Sequence, residues 1–130
     1  MVQFLCPLFM DIEHIAVIGS GQMGNGIAQV ASCAGYQVTM IDIKQEFLEK
    51  GMKTISSSLQ RLVSKERMTQ DEADNAVSLI SVSTETNSCA DADLVVEAIP
   101  EIPELKYSTF AQLDSICKES TILVFDINKN

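Results

Sequence analysis

Apolar positions along the chain switch repeatedly between strand-like and helix-like spacing. Ile15 to Ile18 is a short continuous apolar run ended by Gly19, the pattern of a central parallel strand buried on both faces. After it, Met23, Ile27, Val30, Ala31 and Ala34 recur at helical spacing, and Gly35 stands where a left-handed cap would stop that helix. Val38 to Ile41 is β-branched at three of four positions and ends at Asp42, closing a βαβ unit of about 30 residues. Leu48, Met52, Ile55, Leu59 and Leu62 mark one face of a long helix over 45–65. Thr69-Gln70-Asp71-Glu72 has the form of a capping box, opening a shorter helix with Ala73, Ala76 and Val77 inward. Two short β-rich runs follow, 80–83 and 94–98. Pro103 suits a first helical position, with Leu105, Phe110, Leu113, Ile116 and Cys117 as the apolar stripe of a helix reaching Lys118. Residues 121–125 make a fifth strand.

Strands alternating with helices predict an α/β fold of Rossmann type, a doubly wound, mostly parallel sheet with an inserted helical hairpin. Hydrophobic residues at 46% against 21% charged supply a core and exclude a disordered chain, and 130 residues fit one domain. Residues 1–11 are expected to lie outside that fold, because Met10 followed by DIEHIAVIGSG already reads as a start, leaving 12–130 as the domain. The opening MVQFLCPLFM has no basic first segment and is too short to span a bilayer, so neither a signal peptide nor a membrane partner is expected. Cytoplasmic residence is the default. A net charge of −9 makes nucleic acid an unfavourable partner. Cys6, Cys33, Cys89 and Cys117 show no CxxC spacing and no neighbouring histidine, which reads as free thiols without a metal site. Cys33 and Cys117 fall in helical stripes and are expected in the core.

Candidate chemistry centres on Gly19-Ser20-Gly21-Gln22-Met23-Gly24, which follows one predicted strand and opens a helix. A pyrophosphate needs backbone N–H groups at close range and a helix amino terminus pointing at it. Gly19 would permit the turn, Gly21 would leave room for phosphates, and Gly24 would let the helix pack on the strand. FAD and methyl-donor cofactors use related turns, so the motif names a nucleotide before it names NAD. Asp42, eighteen positions beyond Gly24, narrows the choice. A carboxylate there accepts ribose hydroxyls and repels the extra phosphate of NADP, and Lys44 is two residues late to offset that repulsion. His14 precedes the first strand, more than ~10 Å from the turn at ~3.3 Å per residue, and reads as a surface residue at a strand entry.

The stretch IAVIGSGQMGNGIAQVASCAGYQVTMIDI, with CADADLVVEAIPEIPELKYSTFAQLD, resembles the amino-terminal domain of the NAD-dependent 3-hydroxyacyl-CoA dehydrogenases, including the 3-hydroxybutyryl-CoA members. The likeness covers residues 12 to 124, and its MGxGIAQ and VVEAIPE segments are more specific than the glycines. It implies that Gly19, Gly21, Gln22, Met23 and Gly24 hold the pyrophosphate of NAD and Asp42 its adenosine ribose. It further implies that Glu101 and Lys106 line the nicotinamide half, and that Ser58 and Lys65 contact a CoA substrate. By sequence alone Glu101, Lys106 and Lys65 read as solvated surface charges.

One departure bears on activity. The family's fifth strand runs into a Ser-Asn-Thr-Ser-Ser segment facing nicotinamide and substrate, whereas residues 125–130 read FDINKN. The family's His-Glu pair, in which histidine takes the hydroxyl proton, and its helical domain, which completes the substrate pocket and the dimer, have no counterpart in this sequence. No catalytic residue is assigned. The expectation is therefore the NAD-binding domain of a 3-hydroxyacyl-CoA dehydrogenase of fatty acid metabolism, without its last strands and carboxy-terminal helical domain, and inactive alone. Acyl-CoA would be a substrate only after completion by that domain, and homodimers would belong to full-length relatives. The alternative is a stand-alone NAD-binding or interaction module, and a third is a different Rossmann oxidoreductase completed by a separate catalytic chain.

Overall fold

A computed structural model describes residues 12–98 and 111–125. The elements run β1 (His14–Ile18), α1 (Gln22–Cys33), β2 (Gln37–Ile41), α2 (Gln45–Ser64), α3 (Gln70–Ser78), β3 (Ile80–Ser83), β4 (Leu94–Glu97) and β5 (Ile122–Phe125). A further helix, α4, is described over 111–116 between β4 and β5. The five strands form one sheet in the order β3-β2-β1-β4-β5, every neighbouring pair parallel. Ile15 lies opposite Val38 on one side and Leu94 on the other, so β1 is central. Strand order reverses beside it, which opens the crevice where α/β sheets take ligands.

Alternation along β1 divides the core. Ile15 and Val17 face a cluster with Leu48, Ile55, Leu59, Ala73 and Ala76 from α2 and α3, whereas Ala16 and Ile18 face one with Cys89, Ala92, Val95 and Leu113. Helices α1 to α3 thus cover one face and α4 the other. The capping box opening α3 forms in full: Glu72 N–H donates to Thr69 Oγ1 at 3.1 Å and Thr69 N–H to Glu72 Oε1 at 2.9 Å. Beyond α1, Gly35 sits at φ +99° with its N–H on Ser32 O, and Tyr36 N–H returns to Ala31 O. That pair of bonds is a Schellman stop, as expected for this glycine.

The buried face of α1 agrees with the apolar spacing at Ala31 and Ile27, which meet the core, and differs elsewhere. Gly24, Ala28, Ala31 and Ser32 are buried, while Met23 is 44% and Val30 71% exposed, and Ala34 and Cys33 also face solvent. The reason is distance. A Cβ added to Gly24 would collide with the Gly19 carbonyl oxygen, so helix and turn meet backbone to backbone and only small side chains fit between them. Among the described residues no helix is long and apolar enough to cross a membrane.

Candidate cofactor site

The turn from β1 to α1 is fixed at both ends. Gly19, at φ +108°, donates its N–H to Ile41 O at 2.6 Å, tying the turn to the end of β2. Gly21 is the N-cap of α1 and carries no side-chain cap, and the first helical bond runs from Asn25 N–H to Gly21 O at 2.8 Å. The N–H groups of Gln22, Met23 and Gly24 are therefore donors without helical acceptors, at the positive end of a 12-residue helix whose first turn contains no acidic residue. A Cβ on Gly21 would meet nothing within 4 Å, so the space over the turn is open. Open space, three converging N–H donors and an uncapped helix end fit a pyrophosphate.

Asp42 follows β2 at the same rim. Its Oδ2 accepts from Ser20 N–H at 2.8 Å and from the Ser20 hydroxyl at 2.6 Å, and its Oδ1 accepts from Ile43 N–H at 2.7 Å. The carboxylate thus sits against the glycine turn, the juxtaposition that spacing alone implies. Lys44 places its ammonium 5.6 Å from the Phe47 ring centroid. Glu97, the last residue of β4 and 1% exposed, is a buried carboxyl group at this end of the sheet that the sequence reading overlooks. An acidic residue closing an apolar strand was the available signal.

Beside the turn, α1 and α2 enclose a groove of about 650 Å³ lined by Gln29, Lys50, Lys53, Thr54, Ser58 and Arg61, among others. Gln29 Nε2 lies 3.0 Å from Ser58 Oγ and holds it in the wall. Lys65 is the exposed C-cap of α2 and does not line this groove. Lys50, Lys53 and Arg61 supply the positive charge there. Their spacing from Ser58 (i−8, i−5 and i+3) puts all four on the polar face of α2, a signal legible in the sequence and missed. Glu101 and Lys106 lie outside the described residues.

At the opposite rim, Asp93 accepts from Glu13 N–H at 3.0 Å and His14 N–H at 3.1 Å through Oδ2, and pairs with Lys118 Nζ at 2.9 Å through Oδ1. Partial burial pushes its carboxyl up, but the hydrogen bond from Lys118, the two N–H donors and the Lys118 charge outweigh that and hold it below the ordinary value. His14 bonds Thr39 Oγ1 at 2.7 Å, far from the glycine turn as expected. The free thiols of Cys89 and Cys117 come together in the fold, with their sulfurs 3.8 Å apart. Burial first, then the charge and hydrogen bond of Cys117, push the Cys89 thiol up to about 12.

Residues 14–125 match the family model described as the 3-hydroxyacyl-CoA dehydrogenase NAD binding domain. The chain belongs to the 3-hydroxyacyl-CoA dehydrogenase family. Within it, the probable 3-hydroxybutyryl-CoA dehydrogenase of Bacillus subtilis is 41% identical over 114 residues, covering 88% of this chain and 40% of that protein. The probable enzyme of the same name from Deinococcus radiodurans is 46% identical over 107 residues, covering 82% and 38%. Among solved structures, the (S)-3-hydroxybutyryl-CoA dehydrogenase PaaH1 of Ralstonia eutropha superposes with a TM-score of 0.86 at 36% identity, covering 88% of this chain and 41% of that one. The 3-hydroxybutyryl-CoA dehydrogenase of Escherichia coli gives a TM-score of 0.90 at 35% identity, covering 93% and 26%. The chain is the NAD-binding domain of this family, spanning about 40% of the length of the curated relatives it matches.

Proposed function

We propose that this domain supplies the cofactor half of the oxidation of a 3-hydroxyacyl-CoA to the 3-oxoacyl-CoA, and that by itself it binds NAD without turning substrate over. The observation that carries this is the uncapped first turn of α1 converging with the Asp42 carboxylate at one rim of the sheet. Gly19, Gly21, Gln22, Met23 and Gly24 hold the pyrophosphate through backbone N–H groups, and Asp42 accepts from the adenosine ribose. Glu101 and Lys106 serve the nicotinamide side. NAD, when bound, accepts hydride from the carbon bearing the substrate hydroxyl. Ser58 with Lys50, Lys53 and Arg61 holds the CoA phosphates in the α1–α2 groove, and Lys65, outside the groove at the C-cap of α2, adds a further cation to the substrate side; three groove cations in a chain of net charge −9 favour that reading. Proton removal from the hydroxyl falls to a partner region that also contributes the dimer contacts, and the protein works in the cytoplasm.

The second reading, a stand-alone NAD-binding module, draws on FDINKN at 125–130, where the resemblance leads one to expect Ser-Asn-Thr-Ser-Ser. NADH titration by fluorescence, followed by assay with acetoacetyl-CoA, tests both. NADH binding without turnover is expected; turnover by the purified chain would overturn the division of labour, and absence of NADH binding would sink the cofactor assignment. Lys53→Glu with Arg61→Glu should weaken CoA binding about tenfold, at roughly 1.4 kcal/mol for the pair. Unchanged CoA affinity would remove the groove from the substrate site.

A further inference from the structure

Ser20 lies in the turn between Gly19 and Gly21 and is 3% exposed. Its carbonyl faces Gly51 of α2, where an added Cβ would stand 2.9 Å from Ser20 O, so the residue is clamped from behind. Both its N–H and its hydroxyl donate to Asp42 Oδ2, at 2.8 and 2.6 Å. An ionised carboxylate offers about four acceptor sites. Ser20 takes two and Ile43 N–H a third, which leaves one open site, on Oδ1.

We infer that Ser20 is a positioning residue that sets cofactor preference by locking the Asp42 carboxylate in one orientation. This rests on Asp42 being the ribose acceptor. A locked carboxylate accepts a hydroxyl of NAD without reorganising. Against NADP it presents a fixed negative charge to the 2′-phosphate, with no hydroxyl hydrogen to accept there. A carboxylate free to rotate would turn away from that phosphate and lose part of the discrimination. The nearest cation in sequence, Lys44, lies over the Phe47 ring, 5.6 Å from its centroid.

NADH and NADPH affinities measured by fluorescence titration, on the chain as it stands and on Ser20→Ala, Ser20→Gly, Asp42→Ala and the Ser20→Ala/Asp42→Ala pair, test this. Ser20→Ala should lower the ratio Kd(NADPH)/Kd(NADH) about three- to tenfold, the reach of one net hydrogen bond. Ser20→Gly, which removes the hydroxyl without adding bulk, should do the same. The double variant should match Asp42→Ala alone. A merely structural serine would weaken both cofactors in proportion and leave the ratio fixed. An unchanged ratio in both Ser20 variants, or a Ser20→Ala effect that persists without Asp42, would overturn the proposal. If Asp42→Ala itself leaves the ratio unchanged, the ribose assignment fails instead.

Discussion

Two aspartates stand at opposite ends of the same sheet, each accepting from two or more protein donors. At the amino-end rim, Asp93 takes two backbone N–H groups and the Lys118 ammonium, so its charge is neutralised by a partner the fold always provides. At the carboxyl-end rim, Asp42 takes two N–H groups and one hydroxyl and, among the described residues, no cation. The residue type is the same and so is the hydrogen-bond count, three each. The roles separate on charge: Asp93 is paired with Lys118 and closes a structure, whereas the Asp42 carboxylate meets only neutral donors among the described residues and leaves its charge to a ligand.

The hardest blow to this contrast falls on the glycine turn. Gly24→Ala should cost about 3 kcal/mol or more in denaturant unfolding, since its Cβ meets the Gly19 carbonyl oxygen and neither backbone can withdraw. A loss below 1 kcal/mol would mean that the turn yields. The next effect is on binding: Asp42→Ala should reduce NADH affinity by about 1.5 to 3 kcal/mol, whereas Asp93→Asn should leave it unchanged. Equal losses from both would erase the distinction between the rims.

Asp93→Asn should instead lower stability by about 1.5 kcal/mol at neutral pH. Because the Asp93 carboxyl is depressed when folded, its contribution is present in full above the ordinary value of 3.8 and is lost as pH falls through the folded value. Wild type and variant should therefore converge in acid, and a gap that persists there would show that shape rather than charge is at stake. The smallest effect concerns thiols. With its thiol pushed up to about 12 and fully buried, Cys89 should be the last of the described cysteines to be alkylated, and exposed Cys33 the first. Peptide mass spectrometry after brief iodoacetamide treatment reads that order.

What could be read in advance divides along the same physical line. Strands came out within a residue of their expected bounds because β-branched runs end at turn residues, and Thr69 and Gly35 cap helices through partners within five residues in sequence. The Asp42 rim was legible because the βαβ unit has a nearly fixed length. Asp93 was not, since its N–H donors lie 79 and 80 positions away and nothing local marks them. The Cys89–Cys117 pair hid for the same reason, at a separation of 28. For α1, spacing identified a helix and set Ile27 and Ala31 toward the core, but it also turned Met23, Val30 and Ala34 inward, because apolar size is a poor guide where backbones touch. Ser58 was carried by resemblance, while the cations beside it needed only the polar face of α2 to be read with the care given to its apolar one.

The contact between Gly24 and the Gly19 carbonyl bears on how such a motif ages. Gly21 looks onto open space, so a side chain there would intrude on a ligand and leave the fold intact; a descendant released from cofactor binding could replace it freely. Gly24 has no such freedom, since its replacement breaks the domain whether or not anything is bound. Drift after loss of function should therefore erase the fingerprint from its middle and spare its end. In any chain carrying this turn, the third glycine testifies to ancestry and the second to present occupation.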